Sequence, residues 1–394
     1  MSNKEQINEI MNRIQDDVIA FAQKIVQTKS MTCEEENVAK LVEAKMKELG
    51  YDEVTMDEGG SVLGRMGNGK KTLFFDSHMD TVGVIDADEW RHDPYSGCIE
   101  DGNIYGRGSV DMKCPLVASI YGAYIAKQIG LAEDTTIYVS CSTMEEDYDG
   151  EAVRQLLAKS GLRPDGVVIC EPTNLRVALG HRGRALLEIK TIGKGCHASN
   201  PQNGINPVYM MEEIISRVEK HADELAAIDA PEHGSLALTN VYCSTASNNS
   251  VPNDATIILD RRLALGEEED VVSAEIDKML EGVNCKWSYC DIPGTTWTGL
   301  DFKFHSFLPA CDIAKDAPLV VNAVDSFKDV MGKDATLFRM SASTNAVATS
   351  GIFKLPSIVF GPGDLAMAHA RDEVCSIDEM LSAAKIYAAM CLNV

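Results

Sequence analysis

The sequence has few basic residues: 36 Lys and Arg stand against 60 Asp and Glu, and the formal net charge is −24. Phosphate binding requires clustered Lys and Arg, so this balance argues against a nucleic-acid partner. No apolar run approaches the length that spans a bilayer, which argues against a membrane partner. The N-terminus lacks a basic start followed by an apolar run, and the twelve cysteines are scattered. We therefore expect a cytoplasmic protein with reduced thiols.

Several catalytic signatures are also missing. The sequence has no His-Glu-x-x-His helix and no Cys-x-x-Cys pair, which excludes thermolysin-like and zinc-finger sites. No phosphate-binding glycine motif follows the first strand, which argues against nucleotide binding. Ser140-Cys-Ser does not form the Gly-x-Ser-x-Gly turn of serine hydrolases.

The periodicity of apolar residues indicates an α/β protein. A length of 394 residues suggests two domains, and 45% hydrophobic with 24% charged residues is typical of a soluble globular chain. Apolar runs typical of buried parallel strands alternate with helices in 1–180 and 294–394, which predicts a doubly wound catalytic domain in two parts. Residues 181–293 have the order β-α-β-β-α-β, which predicts an inserted ferredoxin-like domain.

The predicted elements follow from helical spacing and short apolar runs. The helices are predicted at 4–28, 35–49, 113–130, 149–160, 206–225, 267–281, 317–331 and 376–392. The strands are predicted at 61–67, 71–77, 135–143, 166–170, 184–192, 235–243, 254–263, 284–291, 335–339 and 357–360.

Acidic and imidazole side chains recur at the ends of successive predicted strands and in the turns that follow them. Ligands bind outside the carboxyl ends of the strands in open α/β sheets, so we expect these side chains to share one crevice. So many acids in one crevice repel one another unless a metal neutralises them. We interpret the set as a two-zinc hydrolytic site, and it consists of His78, Asp80, Asp111, Glu145, Glu146, Glu171 and His369.

Each residue of this set also has a simpler explanation. His78 can bind zinc while Asp80 holds its ring in one tautomer, but a buried histidine beside a capping aspartate is commoner. Asp111 can cap a helix, or it can bridge two cations with one oxygen each. Of Glu145 and Glu146, one can bind zinc while the other takes a proton from water; a solvated acidic loop is the alternative. The recurrence at successive strand ends carries the prediction.

These motifs resemble metallopeptidase family 20, which includes acetylornithine deacetylase, succinyl-diaminopimelate desuccinylase, aminoacylase and glutamate carboxypeptidase. The resemblance extends from the first helix to the last and rests on Ser77-His-Met-Asp-Thr-Val, Tyr105-Gly-Arg-Gly-Ser-Val-Asp-Met-Lys, Glu145-Glu, Glu171-Pro-Thr, Gly195-Cys-His-Ala-Ser and Gly361-Pro-Gly. Gly180-His-Arg-Gly-Arg and Trp297-Thr-Gly-Leu are similar to the YgeY-type branch of hydrolases linked to selenium metabolism. The fold that this resemblance implies is di-zinc exopeptidase-like.

The resemblance implies a ligand set for two zinc ions, although the same donors also accept cobalt or manganese. His78 and Glu171 would bind one ion, Glu146 and His369 the other, and Asp111 would bridge both. The peptide bond after Asp111 is often cis in this family.

The remaining roles that the resemblance implies concern proton transfer and substrate. Asp80 would orient His78, and Glu145 would be the general base and then the general acid. The inserted domain would be a lid through which two chains form a homodimer, and His197 would reach the partner's site to stabilise the oxyanion. The positions that would contact substrate are Arg262, Asn249, Arg182 and Asn345.

Two segments depart from the family pattern. Cys114-Pro115 replaces two glycines that many members carry after Asp-Met-Lys. Asn345 stands where many members have the aspartate of a Gly-Gly-Thr-Asp loop. An amide can donate as well as accept hydrogen bonds, so this second change bears on substrate selection.

The predicted function is hydrolysis of the amide bond of an N-acyl amino acid or small peptide. Three alternatives stay open: an N-carbamoyl-amide hydrolase or dipeptidase on the same site, a non-catalytic binding relative, and a structural acidic protein. Arg262 favours a substrate with a free carboxylate, because a free amine would require an acidic pocket.

Overall fold

The computed structural model describes residues 1–228, 233–245 and 247–394, and they form two compact units. Unit 1 consists of Met1–His181, Gly294–Phe302 and Asp312–Val394, and unit 2 consists of Arg182–Pro293 and Lys303–Cys311. Unit 2 therefore interrupts unit 1 twice along the chain. The predicted domain boundaries at 181 and 293 stay a prediction, since compactness alone does not show that a segment folds independently.

The helices begin and end as follows: α1 (Asn3–Val26), α2 (Glu36–Glu48), α3 (Cys114–Ile129), α4 (Glu151–Ser160), α5 (Pro207–Ala226), α6 (Glu269–Met279), α7 (Pro318–Met331) and α8 (Ile377–Leu392). Local chemistry explains several of these starts. The Ser2 hydroxyl accepts from the Glu5 N–H while the Glu5 carboxylate accepts from the Ser2 N–H, which satisfies two free donors of α1. Asn206 caps α5 through its side chain, and Pro207 at the first position has no N–H to satisfy.

The strands are β1 (Glu53–Met56), β2 (Val62–Gly67), β3 (Lys71–His78), β4 (Cys98–Glu100), β5 (Asn103–Tyr105), β6 (Thr135–Ser142), β7 (Gly166–Ile169), β8 (Val177–His181), β9 (Gly183–Ile192), β10 (Cys196–His197), β11 (Ser235–Ser244), β12 (Ser250–Val251), β13 (Asp254–Leu263), β14 (Lys286–Tyr289), β15 (Asp291–Thr295), β16 (Asp301–His305), β17 (Phe307–Leu308), β18 (Cys311–Asp312), β19 (Leu337–Met340), β20 (Ser357–Val359) and β21 (Val374–Ser376).

Unit 1 is built on a mixed sheet with the order β1-β2-β6-β3-β7-β20-β8. The central strands β6, β3, β7 and β20 are parallel, as their continuous apolar sequences predict. The outer strands β1 and β2 are antiparallel, so the sheet is not parallel throughout. Helices α1, α3 and α8 pack on one another, α3 lies against β3, and a buried cluster of apolar side chains fills the space between them.

Unit 2 contains an antiparallel sheet with the order β11-β13-β9-β14. The elements follow one another as β9, α5, β11, β13, α6 and β14, the β-α-β-β-α-β order that the sequence predicts. Every second residue of β9 is buried, because one face of the sheet packs on the helices and the other does not. Strands β10 and β12 form a separate two-stranded ribbon.

Most of the missed elements are short strands at sheet edges or in connections, and they include β1, β4, β5 and β8. These four strands have three to five residues each, which leaves no alternation long enough to recognise in a sequence. Within the described residues, no helix is both long and apolar enough to cross a membrane.

Candidate metal centre

Three neighbouring strands of unit 1 end at one place. β3 ends at His78, β6 at Ser142 and β7 at Ile169, and β3 pairs in parallel with both neighbours. Parallel strands direct their carboxyl ends to the same edge of a sheet, so the segments that follow lie side by side. The segments after β6 and β7 carry Glu145, Glu146 and Glu171.

The buried ring of His78 faces several of these carboxylates. Its Nε2 lies 3.0 Å from Asp111 Oδ1, 3.5 Å from Glu171 Oε1 and 3.9 Å from Glu145 Oε2. Donor atoms of His78, Glu145 and Glu171 lie within 4.8 Å of one another, and so do those of His78, Asp111 and Glu146. The structure thus contains two groups, sharing His78, that could each hold a metal ion.

Asp111 has an imidazole beside each of its carboxylate oxygens. Oδ1 is 3.0 Å from His78 Nε2, whereas Oδ2 is 3.4 Å from His369 Nε2. His369 Nε2 also lies 2.8 Å from Glu146 Oε2. The His369 side chain is 54% exposed, so this side of the cluster is open to solvent. A carboxylate with a separate nitrogen donor beside each oxygen has the geometry to bridge two cations.

The charges of this cluster are poorly compensated in the metal-free protein. Burial, followed by repulsion from neighbouring acids, raises the pKa of Glu145 and that of Glu171 well above the ordinary value. Burial also raises the pKa of Glu146, although the hydrogen bond from His369 opposes the shift. Acids that bind protons this strongly at a buried site would be stabilised by any cation that replaces those protons.

The same carboxylates also raise the pKa of the two imidazoles, and so favour the charged form of each ring. Burial lowers the pKa of His78, but the carboxylates of Glu171 and Asp111 outweigh it and raise the pKa well above the ordinary value. Hydrogen bonds to Asp111 and Glu146 raise the pKa of His369 to about 10. In the absence of metal, the protonated imidazoles of His78 and His369 therefore compensate part of the negative charge that a metal ion would otherwise neutralise.

Asp80 connects His78 to the turn that carries the two glutamates. The ring Nδ1 of His78 lies 3.0 Å from the Asp80 carbonyl oxygen and 3.5 Å from Oδ1. The carboxylate accepts hydrogen bonds from the backbone N–H of Glu145 (3.0 Å) and of Glu146 (3.1 Å). It also accepts one from the Thr32 hydroxyl at 2.9 Å. Asp80 therefore contacts the His78 ring most closely through its carbonyl oxygen and holds the glutamate turn through its carboxylate. Its role in orienting the ring stays a prediction.

Sequence reasoning misses other buried acids around this cluster. Glu35 is fully buried and accepts hydrogen bonds from the N–H of Met144 at 2.8 Å and of Cys33 at 3.0 Å. Burial raises the pKa of Glu35, and that of Glu373, to about 7. Glu35 stands in Glu-Glu-Glu and Glu373 in Arg-Asp-Glu, where an exposed acidic run is the ordinary interpretation. No signal in the sequence separates them from surface acids.

The conformation around Asp111 also differs from a simple helix start. α3 begins at Cys114, and Asp111 and Met112 have non-helical backbone angles in the preceding turn. The peptide bond between Asp111 and Met112 is cis, as the family resemblance implies. Asp111 therefore does not cap α3, which removes the simpler explanation of this residue.

His197 and Asn249 lie together in unit 2, on the ribbon of β10 and β12. His197 is exposed, and its Nδ1 accepts from the Ser199 hydroxyl at 2.8 Å. Ala198, next to it, donates its N–H to the Asn249 carbonyl at 2.8 Å. The Asn249 side chain accepts from the Ser247 hydroxyl. Because Nδ1 accepts, Nε2 carries a proton and can donate to another group.

The two predicted arginines of unit 2 are half-buried. Arg262 Nε lies 2.8 Å from Asp260 Oδ1, and the other oxygen of Asp260 accepts from Arg184 Nε at 2.9 Å. Arg182 donates to the His233 carbonyl at 3.4 Å. The carboxylate that Arg262 binds in this structure thus comes from its own strand.

Asn345 is placed differently from the other substrate candidates. It is buried in unit 1, and its amide nitrogen donates to Asp76 Oδ2 at 2.7 Å and to the Ser142 hydroxyl at 3.1 Å. Its carbonyl oxygen accepts from the Gly150 N–H at 2.7 Å. Both ends of this amide are therefore bound by protein groups, and we do not retain Asn345 as a substrate contact.

The fold and this cluster define a metal-dependent hydrolase. The chain belongs to Peptidase family M20/M25/M40, whose sequence profile matches residues 74–393. The predicted family is thereby confirmed, and so are the α/β fold class and the action on amide or peptide bonds.

Relatives match along nearly the whole chain. The YgeY protein of Escherichia coli K12 is 31% identical over 381 residues, which cover 96% of this chain and 94% of the relative. A probable succinyl-diaminopimelate desuccinylase of Staphylococcus epidermidis is 27% identical over 84% of this chain and 85% of its own length. The crystal structure of YxeP from Bacillus subtilis, a dinuclear metal-binding peptidase of the M20 family, has a TM-score of 0.70 at 13% identity; it covers 97% of this chain and 98% of its own.

Proposed function

We propose that this protein is a two-zinc amidohydrolase that cleaves the amide bond of an N-acyl amino acid or small peptide. The observation that carries the proposal is the position of Asp111, whose two carboxylate oxygens lie beside the imidazoles of His78 and His369. The glutamates of the same cluster provide further donors. Imidazole and carboxylate donors in this number fit zinc. Burial and neighbouring acids raise the pKa of Glu145 and that of Glu171, and a bound cation would oppose both shifts.

We assign the ligands as the family resemblance implies, and the contacts among these side chains support the assignment. His78 and Glu171 would hold one ion, and Glu146 and His369 the other, with Asp111 between them. Bound zinc would polarise the amide carbonyl and lower the pKa of water towards 7. The YxeP relative, described as dinuclear, supports the count of two.

Glu145 is the proposed general base. Its carboxylate is buried beside His78, and its N–H is fixed by Asp80, so the side chain starts from a rigid turn. A raised pKa suits a group that must take a proton from water and pass it to the leaving amine nitrogen. Burial also excludes bulk water that would compete for this proton.

We further propose that the protein acts as a homodimer through unit 2. β11 is the last strand of its sheet in the observed order, and Val241 and Tyr242 on it are 51% and 46% exposed. An edge strand of this length with exposed apolar side chains can pair with its copy. His197 of the partner subunit would then donate to the oxyanion, with Arg262 and Asn249 contacting the substrate.

Reduced thiols support a cytoplasmic location for this enzyme. All twelve cysteines lie within the described residues, and all are free thiols in the structure. Free thiols in this number are typical of a reducing compartment.

The deciding experiment compares wild type with Glu145→Gln. We expect both proteins to bind two zinc ions per chain, measured by elemental analysis, because Glu145 is not among the proposed ligands. Removal of a general base typically costs about 10²- to 10⁴-fold, so Glu145→Gln should lose nearly all activity on N-acetyl, N-succinyl, N-carbamoyl and dipeptide substrates. The panel also identifies which bond the wild type cleaves.

Glu151→Gln provides the matched control. Glu151 is an equally buried glutamate, but its carboxylate is bound by Arg154 and Gln155 on α4. The same chemical change there should leave turnover intact. A fully active Glu145→Gln protein would remove Glu145 from the mechanism, and a wild type without bound metal would overturn the proposed function.

A further inference from the structure

Glu373 is a fully buried carboxylate that the proposed chemistry does not use. Its Oε1 accepts hydrogen bonds from the N–H of Val110 at 2.9 Å and of Asp111 at 3.0 Å. Its Oε2 accepts from the N–H of Gly108 at 2.9 Å and from Arg107 Nη1 at 2.7 Å. Each oxygen thus has two donors, which leaves little capacity for a metal ion. Glu373 therefore acts on the backbone of the turn that ends at Asp111.

Arg107 extends this contact to a second loop. Its Nη1 binds Glu373, while its Nη2 donates to the His369 carbonyl oxygen at 3.4 Å. The guanidinium also lies 5.1 Å from the centre of the Trp90 ring, which restricts its orientation. One ion pair therefore connects the backbone of Asp111 with the backbone of His369.

Backbone pairing strengthens the same connection. Strand β21, which begins directly after Glu373, pairs with β5, which ends two residues before Arg107. The Gly106 N–H donates to the Glu373 carbonyl at 2.9 Å. The main chains of the two loops are thus fixed side by side, and the Glu373 carboxylate extends this fixation up to Asp111.

The two ligand-bearing residues need such support. His369 has φ of 60°, in the left-handed region that a residue with a Cβ disfavours. The turn at 108–111 directs three backbone N–H groups into a buried space, where donors without an acceptor are costly. Without Glu373 the turn would rearrange to satisfy them, and the Asp111 side chain would move with it.

We propose that Glu373, together with Arg107, is a positioning residue that sets the separation of Asp111 and His369. The inference rests on the proposed function, in which these two residues hold one metal ion between them. The observed 3.4 Å between Asp111 Oδ2 and His369 Nε2 is the distance that the pair fixes. Its loss should weaken the binding of the ion at His369 more than that of the ion at Glu171.

The test uses Glu373→Gln in the full-length protein. Glutamine keeps the size but presents an NH₂ donor to backbone N–H groups that already donate. Replacing a partner that orients metal ligands typically costs about 10- to 100-fold in affinity. Titration of zinc against a chromophoric chelator should show this loss for one of the two bound ions, and kcat should fall while KM changes little.

A general loss of stability would not produce this pattern, and Glu275→Gln provides the control. Glu275 in unit 2 binds the fully buried Arg261 and also His221, so its loss should lower the Tm. The zinc affinity of the Glu275→Gln protein should stay within about twofold of wild type. If Glu373→Gln does not fold, Arg107→Lys tests the same connection. Arg107 uses two different guanidinium nitrogens for Glu373 and the His369 carbonyl, and the single ammonium of lysine does not reproduce this planar geometry.

The outcomes separate the two proposals. Two zinc ions in the wild type with unchanged zinc affinity and kcat in Glu373→Gln, or in Arg107→Lys where the first variant does not fold, would overturn the role of Glu373. A wild type that binds no zinc would overturn the proposed function instead. Equal weakening of both ions would contradict the specific link to His369.

Discussion

The two units hold their candidate residues in different ways. In unit 1 the side chains of the cluster bind one another, and most of them are buried. In unit 2, His197 and Asn249 are exposed on a two-stranded ribbon, and Arg262 is paired with Asp260 on its own strand. The cluster of unit 1 is thus assembled from side chains that contact one another, whereas His197 and Asn249 of unit 2 make local contacts at the surface.

Electrostatics explains this difference. A buried carboxylate must be compensated within its own surroundings, so the acids of unit 1 can persist only with imidazoles, backbone donors and cations nearby. An exposed imidazole or guanidinium is compensated by water and can be left without a permanent partner. Ligands that must bind a resident ion therefore belong in the first setting, and groups that meet a transient substrate belong in the second.

The largest expected effect comes from His78→Ala, which tests the assembled site. His78 belongs to both groups of metal-binding donors, so its loss should abolish activity and reduce bound zinc below two ions per chain. His305→Ala is the matched control in unit 2. His305 also lies 3.0 Å from two carboxylates, those of Glu269 and Asp291, but it is 48% exposed. Elemental analysis should find the wild-type zinc content in that control.

The opposite zinc contents would contradict the distinction between the buried cluster of unit 1 and the exposed side chains of unit 2. If His305→Ala loses zinc while His78→Ala keeps it, burial and convergence do not mark the metal centre of this protein.

His197→Ala tests the exposed residues of unit 2, with a smaller expected effect. Loss of one oxyanion donor typically lowers kcat by about 10²- to 10³-fold. Zinc content should not change, because His197 lies in unit 2 and its local contacts are with Ser199. Steady-state kinetics and elemental analysis on the same preparation measure both quantities.

Mixed dimers determine which chain supplies the histidine. Homodimers with Glu145→Ala and homodimers with His197→Ala each lack one group in both sites, so both should be strongly impaired. A heterodimer of the two would contain one complete site. Partial recovery of activity in verified heterodimers is expected. Absence of any recovery would mean that His197 acts within its own chain or has no role.

The sequence allows the candidate ligands to be grouped because strand ends have a pattern. Continuous apolar runs locate β3, β6 and β7, and the ends of parallel strands meet at one edge, so the residues after them can be grouped without coordinates. Glu35 and Glu373 escape this reasoning. They bind backbone N–H groups of Met144 and Val110, which are 109 and 263 residues away. The type of a residue does not indicate whether its backbone N–H will bind a remote carboxylate, so the sequence gives no sign of these contacts.

Asn345 shows a different limitation: the family motif suggests a role in substrate binding that its contacts in this structure do not support. Its likeness to a family aspartate places it in a substrate loop, yet in this chain its amide is bound to Asp76, a buried acid on β3. The identity of residue 345 depends on a partner that is remote in sequence. Motif matching assigns residues one segment at a time and therefore cannot detect such a pair.

The variant Asn345→Asp tests whether the contact between Asp76 and Asn345 stabilises the protein. Burial raises the pKa of Asp76 to about 6, while hydrogen bonds from Asn345 and Ser142 oppose the shift. A second carboxylate at 345 would replace the Asn345 donor with a like charge, so the variant should lose about 2 kcal/mol or more of unfolding free energy. Thermal or urea unfolding of the metal-free protein measures the loss.

The double variant Asp76→Asn with Asn345→Asp exchanges the two groups. It restores one acid beside one amide, so it should recover part of the stability that the single change removes. A double variant that is no more stable than Asn345→Asp would show that the two side chains do not act as a pair.

The smallest expected effect concerns pH. In the metal-free protein the pKa of Glu145 and that of Glu171 are raised by burial, and the pKa of His369 is raised to about 10 by Asp111 and Glu146. Groups with raised folded-state pKa values contribute stability at low pH that is lost as the pH rises through those values. The pKa of Asp111 is lowered: burial raises it, but hydrogen bonds from His369 and His78 outweigh burial, and its contribution changes only at acid pH.

The metal-free protein should therefore lose Tm between about pH 6 and about pH 8, while the gain in Tm on adding zinc should grow over the same interval, because zinc displaces fewer protons at the higher pH. Glu145→Gln removes one of the protonated groups, so the fall in Tm of the metal-free variant should be shallower than in Glu151→Gln. Calorimetry of both variants with and without chelator measures these slopes. Equal slopes would show that Glu145 is not protonated in the metal-free site. The protons taken up by the buried cluster of unit 1 would then have to be bound by its other acids.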